Sequence, residues 1–580
     1  MNQTRRLWVV MAAVLLFAIF PVAAQDAGEP GSVGVGDSLF TLSGNGGYDV
    51  QHYTIDLVWD NVTNIIDSTV TVEAIATQPL SSFNLDFFGF DLTVITVNDT
   101  DAEFTRDQGE LTITPAASIA EGETFTAVIT YSGNPSNIAG AAIPIGGWQN
   151  YSAGVFVASE PVGAPGWYPV NDTPSDKATY TLIITVPDPF VVAANGVPAD
   201  PVDNGDTITY RFDVNQPMAS YLATVNIGDF RVERSEGENG LPIINYFPQN
   251  FTATQTRPFA RQADILAYFS SVFGPYPFDS AGSIVVETEL GVALETQTRP
   301  LFGTDSATSE MVVVHEQSHQ WFGDAVTPAD WGDIWLNEGF ASYAEALWLE
   351  HTQGEAARDD HLRDFYLYGT LGILYDETYS SFRTGTLPRL PLTDTPLTPD
   401  QARSLALTLG GPALDEAIVD AAIADLPAEG LATDQIDAFL TQFGIRQVRL
   451  NADGIAELFR SVNLESLIAG SGLDSPYARP TPPGVVDANG MFNQGVYQRG
   501  GLTLHALRLA VGDEVFFNIL QTWVARYSGT SVRTADFIAL AEELSGQQLD
   551  DLFNTWLYSP TPPDFPELFL HAADFIRPAN

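Results

Sequence analysis

His315-Glu316-Gln317-Ser318-His319 is the segment of this chain whose residue types and spacing can do chemistry. Apolar spacing predicts a helix over Met311–Phe322, and on a helix positions i and i+4 share one face, a turn apart. Two imidazoles so placed reach a single metal ion at about 2 Å each. Glu316, beside the first histidine, can face water at that metal, take its proton and pass it to a leaving group. A third ligand follows in Trp335-Leu336-Asn337-Glu338, where eighteen residues separate Glu338 from His319. That gap lets the chain leave the first helix, turn through Thr327-Pro328-Ala329-Asp330 and return on a second helix, predicted over Gly339–Glu350. Two histidines and one carboxylate leave a fourth position open, which is the catalytic rather than the closed structural pattern. The donor types suit zinc, one ion per chain, although spacing alone leaves other divalent metals open. Asp324 and Asp333 are candidates to orient the imidazoles.

The elements that must hold this site change character along the chain. The length, 580 residues, exceeds one hydrophobic core and implies several domains. Arg5 and Arg6, an apolar run from Leu7 to Phe20 and Val22-Ala23-Ala24 read as a secretory signal over 1–24, with an uncleaved anchor as the alternative. Export to the outside or the periplasm is therefore expected, with a soluble mature form that does not use a membrane. Residues 25–46 are rich in Gly, Asp and Ser and read as a flexible lead-in. From 47 to 234 short β-branched runs alternate with period two, as in Tyr53–Val58, Ser68–Val72, Thr126–Tyr131, Tyr180–Val186 and Thr207–Phe212. Helical spacing takes over in 235–560, with helices predicted at Gly500–Ala510, Glu514–Arg526, Thr534–Ser545 and Leu549–Leu557. The stretch 385–475 reads as a helical insertion, and 561–580 as a Pro-rich tail or short cap.

Composition removes several functions. There is no cysteine, so disulfides, thiolate metal sites and a cysteine nucleophile are excluded. Asp and Glu number 73 against 24 Lys and Arg, for a net charge of −49, and Lys177 is the sole lysine. That field opposes nucleic acid and anionic lipid. It fits a solvated acidic surface, or steering of cationic peptides. Nothing in the sequence specifies an oligomeric state.

The metal motif, continued as Gln320-Trp321-Phe322-Gly323-Asp324, resembles the aminopeptidase N family, which includes the leukotriene hydrolases and has the same gap to its glutamate. Four further segments carry the resemblance. Gly291-Val292-Ala293-Leu294-Glu295-Thr296 is similar to the family's Gly-Ala-Met-Glu-Asn motif, with Val292, Leu294 and Thr296 departing from it. The resemblance implies that Glu295 binds the substrate's free α-amino group, with Glu160 of Ala158-Ser159-Glu160-Pro161 as second ligand. Tyr497, in Val496-Tyr497-Gln498-Arg499-Gly500, matches the tyrosine that stabilises the oxyanion, with Arg499 where the family has Lys. Pro217–Leu222 looks like the last strand of the family's N-terminal domain.

The resemblance covers about 47–380 and 476–560. It implies an α+β multidomain chain, with an N-terminal antiparallel β-sandwich-like domain followed by a thermolysin-like, mostly helical catalytic domain. The chain stops soon after Leu557, and the resemblance implies a short form lacking the large C-terminal helical domain of many relatives, with a more open cleft. The implied function is a zinc-dependent aminopeptidase acting on peptides with a free N-terminus. A thermolysin-type endopeptidase would share the metal site but ignore N-acetylation. A catalytically silent scaffold is disfavoured by the joint presence of His315, Glu316, His319, Glu338, Glu295 and Tyr497.

Overall fold

The computed structural model describes residues 28–366 except 139–142 and 144, residues 481–568 except 562, and scattered residues between 399 and 443. The predicted signal at 1–24, most of the insertion at 385–475 and the last part of the tail, 569–580, lie outside the described residues.

Alternation drives the first domain. In strand Tyr48–Trp59, Tyr53, Ile55 and Leu57 are buried while Asp56 and Val58 are exposed, so one face of the pleat feeds the core. The strand sits inside a nine-stranded sheet, between Ala178–Pro187 and Ile66–Ala76, with Thr207–Met218 and Thr124–Gly133 flanking that trio. The expectation of an antiparallel domain needs one correction at its centre. Ala178–Pro187 runs parallel to Tyr48–Trp59, in a register that pairs Tyr180 with Tyr53. Their rings stack with centroids 5.0 Å apart, a contact that directly opposed strand positions permit.

A smaller sheet, ordered Gly147–Tyr151, Gly154–Ala158, Val225–Gly228 and Val191–Ala194, ends its second strand two residues before Glu160. The expected boundary at 234 falls inside strand Phe230–Glu236, which pairs with Pro242–Pro248 in a five-stranded sheet of the second domain. Ala293–Leu294, immediately before Glu295, is the edge of that same sheet.

The second domain is built from helices α1 (Gln262–Phe273), α2 (Glu310–Ser318), α3 (Trp335–Gln353), α4 (Glu355–Phe365), α5 (Glu416–Ala424), α6 (Gly500–Val511), α7 (Asp513–Tyr527) and α8 (Thr534–Ser545). The predicted last helix is a turn of α-helix at Asp550–Phe553 running into a wider π-turn at Asn554–Tyr558. The described part of the tail is docked: Tyr366 donates to the Pro563 carbonyl at 2.7 Å, and Phe565 packs on Trp556.

One continuous apolar core runs through both domains. Polar ties cross the same boundary. Lys177 Nζ donates to the carbonyls of Asp324 and Ala325 at 2.7 and 3.0 Å. Tyr221, in the Pro217–Leu222 segment, donates to the Gly323 carbonyl at 3.0 Å. That segment is the end of a strand followed by a 3-10 turn, and it fixes the loop leaving α2.

Candidate metal centre

Ser309 caps α2 by accepting from the Met311 N–H at 3.2 Å, and Glu310 in the first turn complements the helix dipole. The helix ends at Ser318, shorter than predicted, and the chain then turns at Gly323, whose φ is +115°. A side chain there would press on Asn337 and on the His319 ring, at 3.0 and 3.4 Å from an added Cβ. After the turn at Trp331–Asp333 the chain enters α3, whose first turn carries Glu338.

The three expected metal ligands converge. His315 Nε2 lies 3.2 Å and His319 Nε2 3.5 Å from Glu338 Oε2, and all three donor atoms lie within 4.8 Å of one another. Tetrahedral donors on bonds of 2.0–2.1 Å stand about 3.3 Å apart, so the set fits one ion. The opposite ring nitrogens are engaged: His315 Nδ1 pairs with Glu345 Oε1 at 2.8 Å and His319 Nδ1 with the Phe322 carbonyl at 3.0 Å. Each acceptor calls for a proton on Nδ1 and so turns the Nε2 lone pair toward the site.

Those partners correct the expectation for Asp324 and Asp333. Asp333 accepts from the Thr534 hydroxyl at 2.6 Å, and Asp324 is buried with neither oxygen hydrogen-bonded, its carboxyl pushed well up by burial and then by Glu295 against the pull of Lys177. Glu345 is the residue the sequence reading missed. It lies seven residues after Glu338, two turns along the same face of α3, and its other oxygen pairs with His361 Nε2 of α4 at 3.2 Å. Burial raises the Glu345 carboxyl, but the two imidazoles outweigh it and bring it to about 2.

Glu316 is buried on α2 beside the ligands. Burial raises its carboxyl to about 7 against the opposing pull of His315 and His319. Tyr497 stands across the site, its ring nearly parallel to that of His315 with centroids 5.9 Å apart. Burial and then the Glu338 charge hold its phenol well above the ordinary range, so it stays protonated and able to donate. It is placed by a backbone contact. A Cβ on Gly339, next to Glu338, would come within 2.9 Å of the Gly500 Cα, so α3 and α6 touch where only glycine fits. Arg499 anchors the same turn by donating to the carbonyls of Trp556, Thr555 and Ser559 at 2.7, 2.9 and 2.8 Å.

Glu160 and Glu295 also reach the site. One oxygen from each lies within 4.8 Å of the other and of a Glu338 oxygen. Both side chains are buried, and Oε1 of each has no hydrogen-bond partner. Burial, and then the neighbouring carboxylates, push Glu160 well up; Glu295 is raised by burial and eased by His319. Thr296, a departure from the family motif, donates to the Arg299 carbonyl at 2.6 Å and closes the turn after Glu295.

Comparison with known proteins agrees with this geometry. Residues 49–222 match the peptidase M1 N-terminal domain, and 280–374 with 463–556 match the peptidase family M1 domain. Human glutamyl aminopeptidase is 31% identical over 265 residues, 42% of this chain and 26% of that protein. Aminopeptidase N of Acetobacter pasteurianus is 27% identical over 47% of this chain and 82% of its own. The chain spans about a quarter of the length of the glutamyl aminopeptidases it matches. Among solved structures, the M1 zinc metallopeptidase of Deinococcus radiodurans superposes with a TM-score of 0.69 at 26% identity, covering 92% of this chain and 98% of that one. A mutant of that enzyme has been crystallised with a Tyr-Ser-Ala substrate. The family's metal is zinc, and the fold is its two-domain arrangement of a β-rich N-terminal domain and a helical catalytic domain. With the histidine pair and Glu338 at tetrahedral spacing and both domain matches in chain order, this protein belongs to peptidase family M1.

Proposed function

We propose that the protein is a zinc aminopeptidase that removes N-terminal residues from peptides. The observation that carries this reading is the meeting of Glu160 and Glu295 beside Glu338, with an unpartnered buried oxygen on each. Carboxylates this close resist ionising together. A substrate ammonium supplies both the missing charge and the missing donors, and its ordinary pKa of about 7.7–8.0 keeps much of it charged at neutral pH. Because this anchor lies within 4.8 Å of a zinc ligand, one residue fits before the scissile bond. An endopeptidase must pass chain on both sides and has no use for such a wall.

His315, His319 and Glu338 hold the zinc, which when bound supplies Lewis acidity toward the scissile carbonyl and lowers the pKa of water. Glu316, buried beside the ligands, takes a proton from water and returns it to the leaving amine. The Tyr497 phenol donates to the oxygen that becomes negative as the carbonyl is attacked. Glu295 and Glu160 orient the substrate through its amine.

We read the catalytic domain as thermolysin-like, supported by the five-stranded sheet followed by the paired ligand helices α2 and α3. We also read the protein as exported through its first 24 residues. Among the described residues no helix is long and apolar enough to cross a membrane. N-terminal sequencing of the mature protein tests export, with a start near residue 25 expected.

The functional test is hydrolysis of aminoacyl reporter amides and their N-acetylated twins, with and without chelator. Cleavage of the free series alone, abolished by chelator and restored by zinc, is expected. Equal cleavage of both series would make it an endopeptidase, and no cleavage by zinc-loaded protein would make it a scaffold. Glu316→Gln should lower kcat by about 10²–10⁴-fold.

A further inference from the structure

Glu295 hangs on little secondary structure. The strand before it, Ala293–Leu294, is two residues long, and the chain then turns sharply to return along Leu301–Phe302. Its position depends on what holds residues 295–298. Within that turn Thr298 has φ +70°, a left-handed conformation that a β-branched residue keeps only when held.

The holding group comes from the metal-binding segment. Gln320 directly follows His319 and is fully buried. Its Nε2 donates to the Glu295 carbonyl at 3.2 Å, and its Oε1 accepts from the Thr298 N–H at 2.6 Å. A single side-chain amide therefore spans the turn, satisfying a backbone acceptor at one end and a donor at the other. Tyr276 supports the same oxygen, its hydroxyl 3.4 Å away. The far side is braced by the N-terminal domain: Asn195 Nδ2 donates to the Gln297 carbonyl at 2.8 Å, and the Gly196 N–H donates to Thr298 Oγ1 at 2.9 Å. Those braces fix the turn to the first domain. Gln320 joins it to the residue beside a zinc ligand.

We propose that Gln320 is a positioning residue that sets the separation between the zinc and the Glu295 amine anchor. This rests on the reading of Glu295 as the ammonium site. A group holding an anchor for the substrate's unreacting end acts on ground state and transition state alike, so its loss raises KM more than it lowers kcat.

The test uses full-length, zinc-loaded Q320L and Q320N with a leucine reporter amide. Q320L removes both amide contacts at similar volume, and Q320N keeps the amide but withdraws it by one methylene. Each should retain one zinc per chain, raise KM about tenfold and change kcat by less than about threefold. A folded, zinc-loaded Q320L with wild-type KM overturns the proposal. So does a loss confined to kcat, or a KM restored by saturating zinc, since either places the role of Gln320 at the metal. If Q320L does not fold, Q320N decides by the same criteria. The underlying reading is tested separately: wild-type cleavage of the N-acetylated amide refutes the ammonium site without any variant.

Discussion

Replacing Glu345 by glutamine should weaken zinc binding about tenfold, although Glu345 never touches the metal. Its carboxylate accepts from His315 at 2.8 Å and pairs with His361 at 3.2 Å, and it is ionised at any working pH because the imidazoles bring it to about 2. A hydrogen bond to a charged group contributes about 1.5–3 kcal/mol, against about 0.5–1.5 kcal/mol for a neutral one. E345Q keeps an oxygen for the His315 Nδ1 proton but loses the charge, so the difference is about 1–1.5 kcal/mol, or about tenfold in Kd. E345L removes the acceptor entirely and frees the ring to rotate, and about a hundredfold loss is expected. The assay is competition for zinc against a chelator of known affinity, at one pH, with melting curves on the same samples. Asp333→Asn is the control. Its partner is Thr534, so it should lower the melting temperature while leaving zinc affinity within twofold of wild type. An E345L protein that binds zinc like wild type, or a D333N protein that loses zinc as E345Q does, would refute the reasoning.

Other outcomes follow from single contacts. Gly339→Ala puts a Cβ within 2.9 Å of Gly500 backbone that cannot yield, so α3 and α6 must part; a loss of about 1–3 kcal/mol in chemical denaturation and a fall in kcat are expected. Tyr497→Phe should cut kcat about 10²–10³-fold, with KM changed by only a few fold in steady-state kinetics. Asp172 is 2% exposed in the N-terminal domain, and burial raises its carboxyl to about 7 against a hydrogen bond from Ser220. The native state therefore keeps a proton that the unfolded chain releases. Stability is full below the unfolded value near 3.8 and is lost as pH rises toward 7, by an amount on the order of 4 kcal/mol. Asp172→Asn, neutral throughout, should flatten the fall in melting temperature between pH 4.5 and 7.5, and an unchanged slope would place the titration elsewhere.

The parts legible in the sequence are those whose physics is local. Period two in Tyr53-Thr54-Ile55-Asp56-Leu57-Val58 sets which face is buried wherever the strand goes, and helical spacing in Thr534–Ser545 gives the observed bounds of α8. The histidine pair was legible for the same reason, since i and i+4 in one helical turn is a local distance, whereas Glu338 was reached through its spacing and the segment around it. The central parallel pairing of Ala178–Pro187 with Tyr48–Trp59 was not, because two strands about 120 residues apart carry no mark of their relative direction.

The same division runs through the site. Asp324 and Asp333 were the natural candidates for orienting the imidazoles because they lie near the motif in sequence, yet Glu345 does the work for His315 because it lies on the face of α3 that already carries Glu338. A helical reading of α3 could have made it a candidate: seven residues from a ligand is two turns, which puts Glu345 on the face that carries Glu338. Gln320 had no such signal. It acts through the backbone of residues 295–298, and a backbone acceptor and donor have no side-chain identity to read. The motif residues thus say what chemistry is possible at His315, His319 and Glu338. Which end of a peptide meets that chemistry is set by Glu295, and Glu295 stands where it does because of contacts from two domains that only the folded chain brings together.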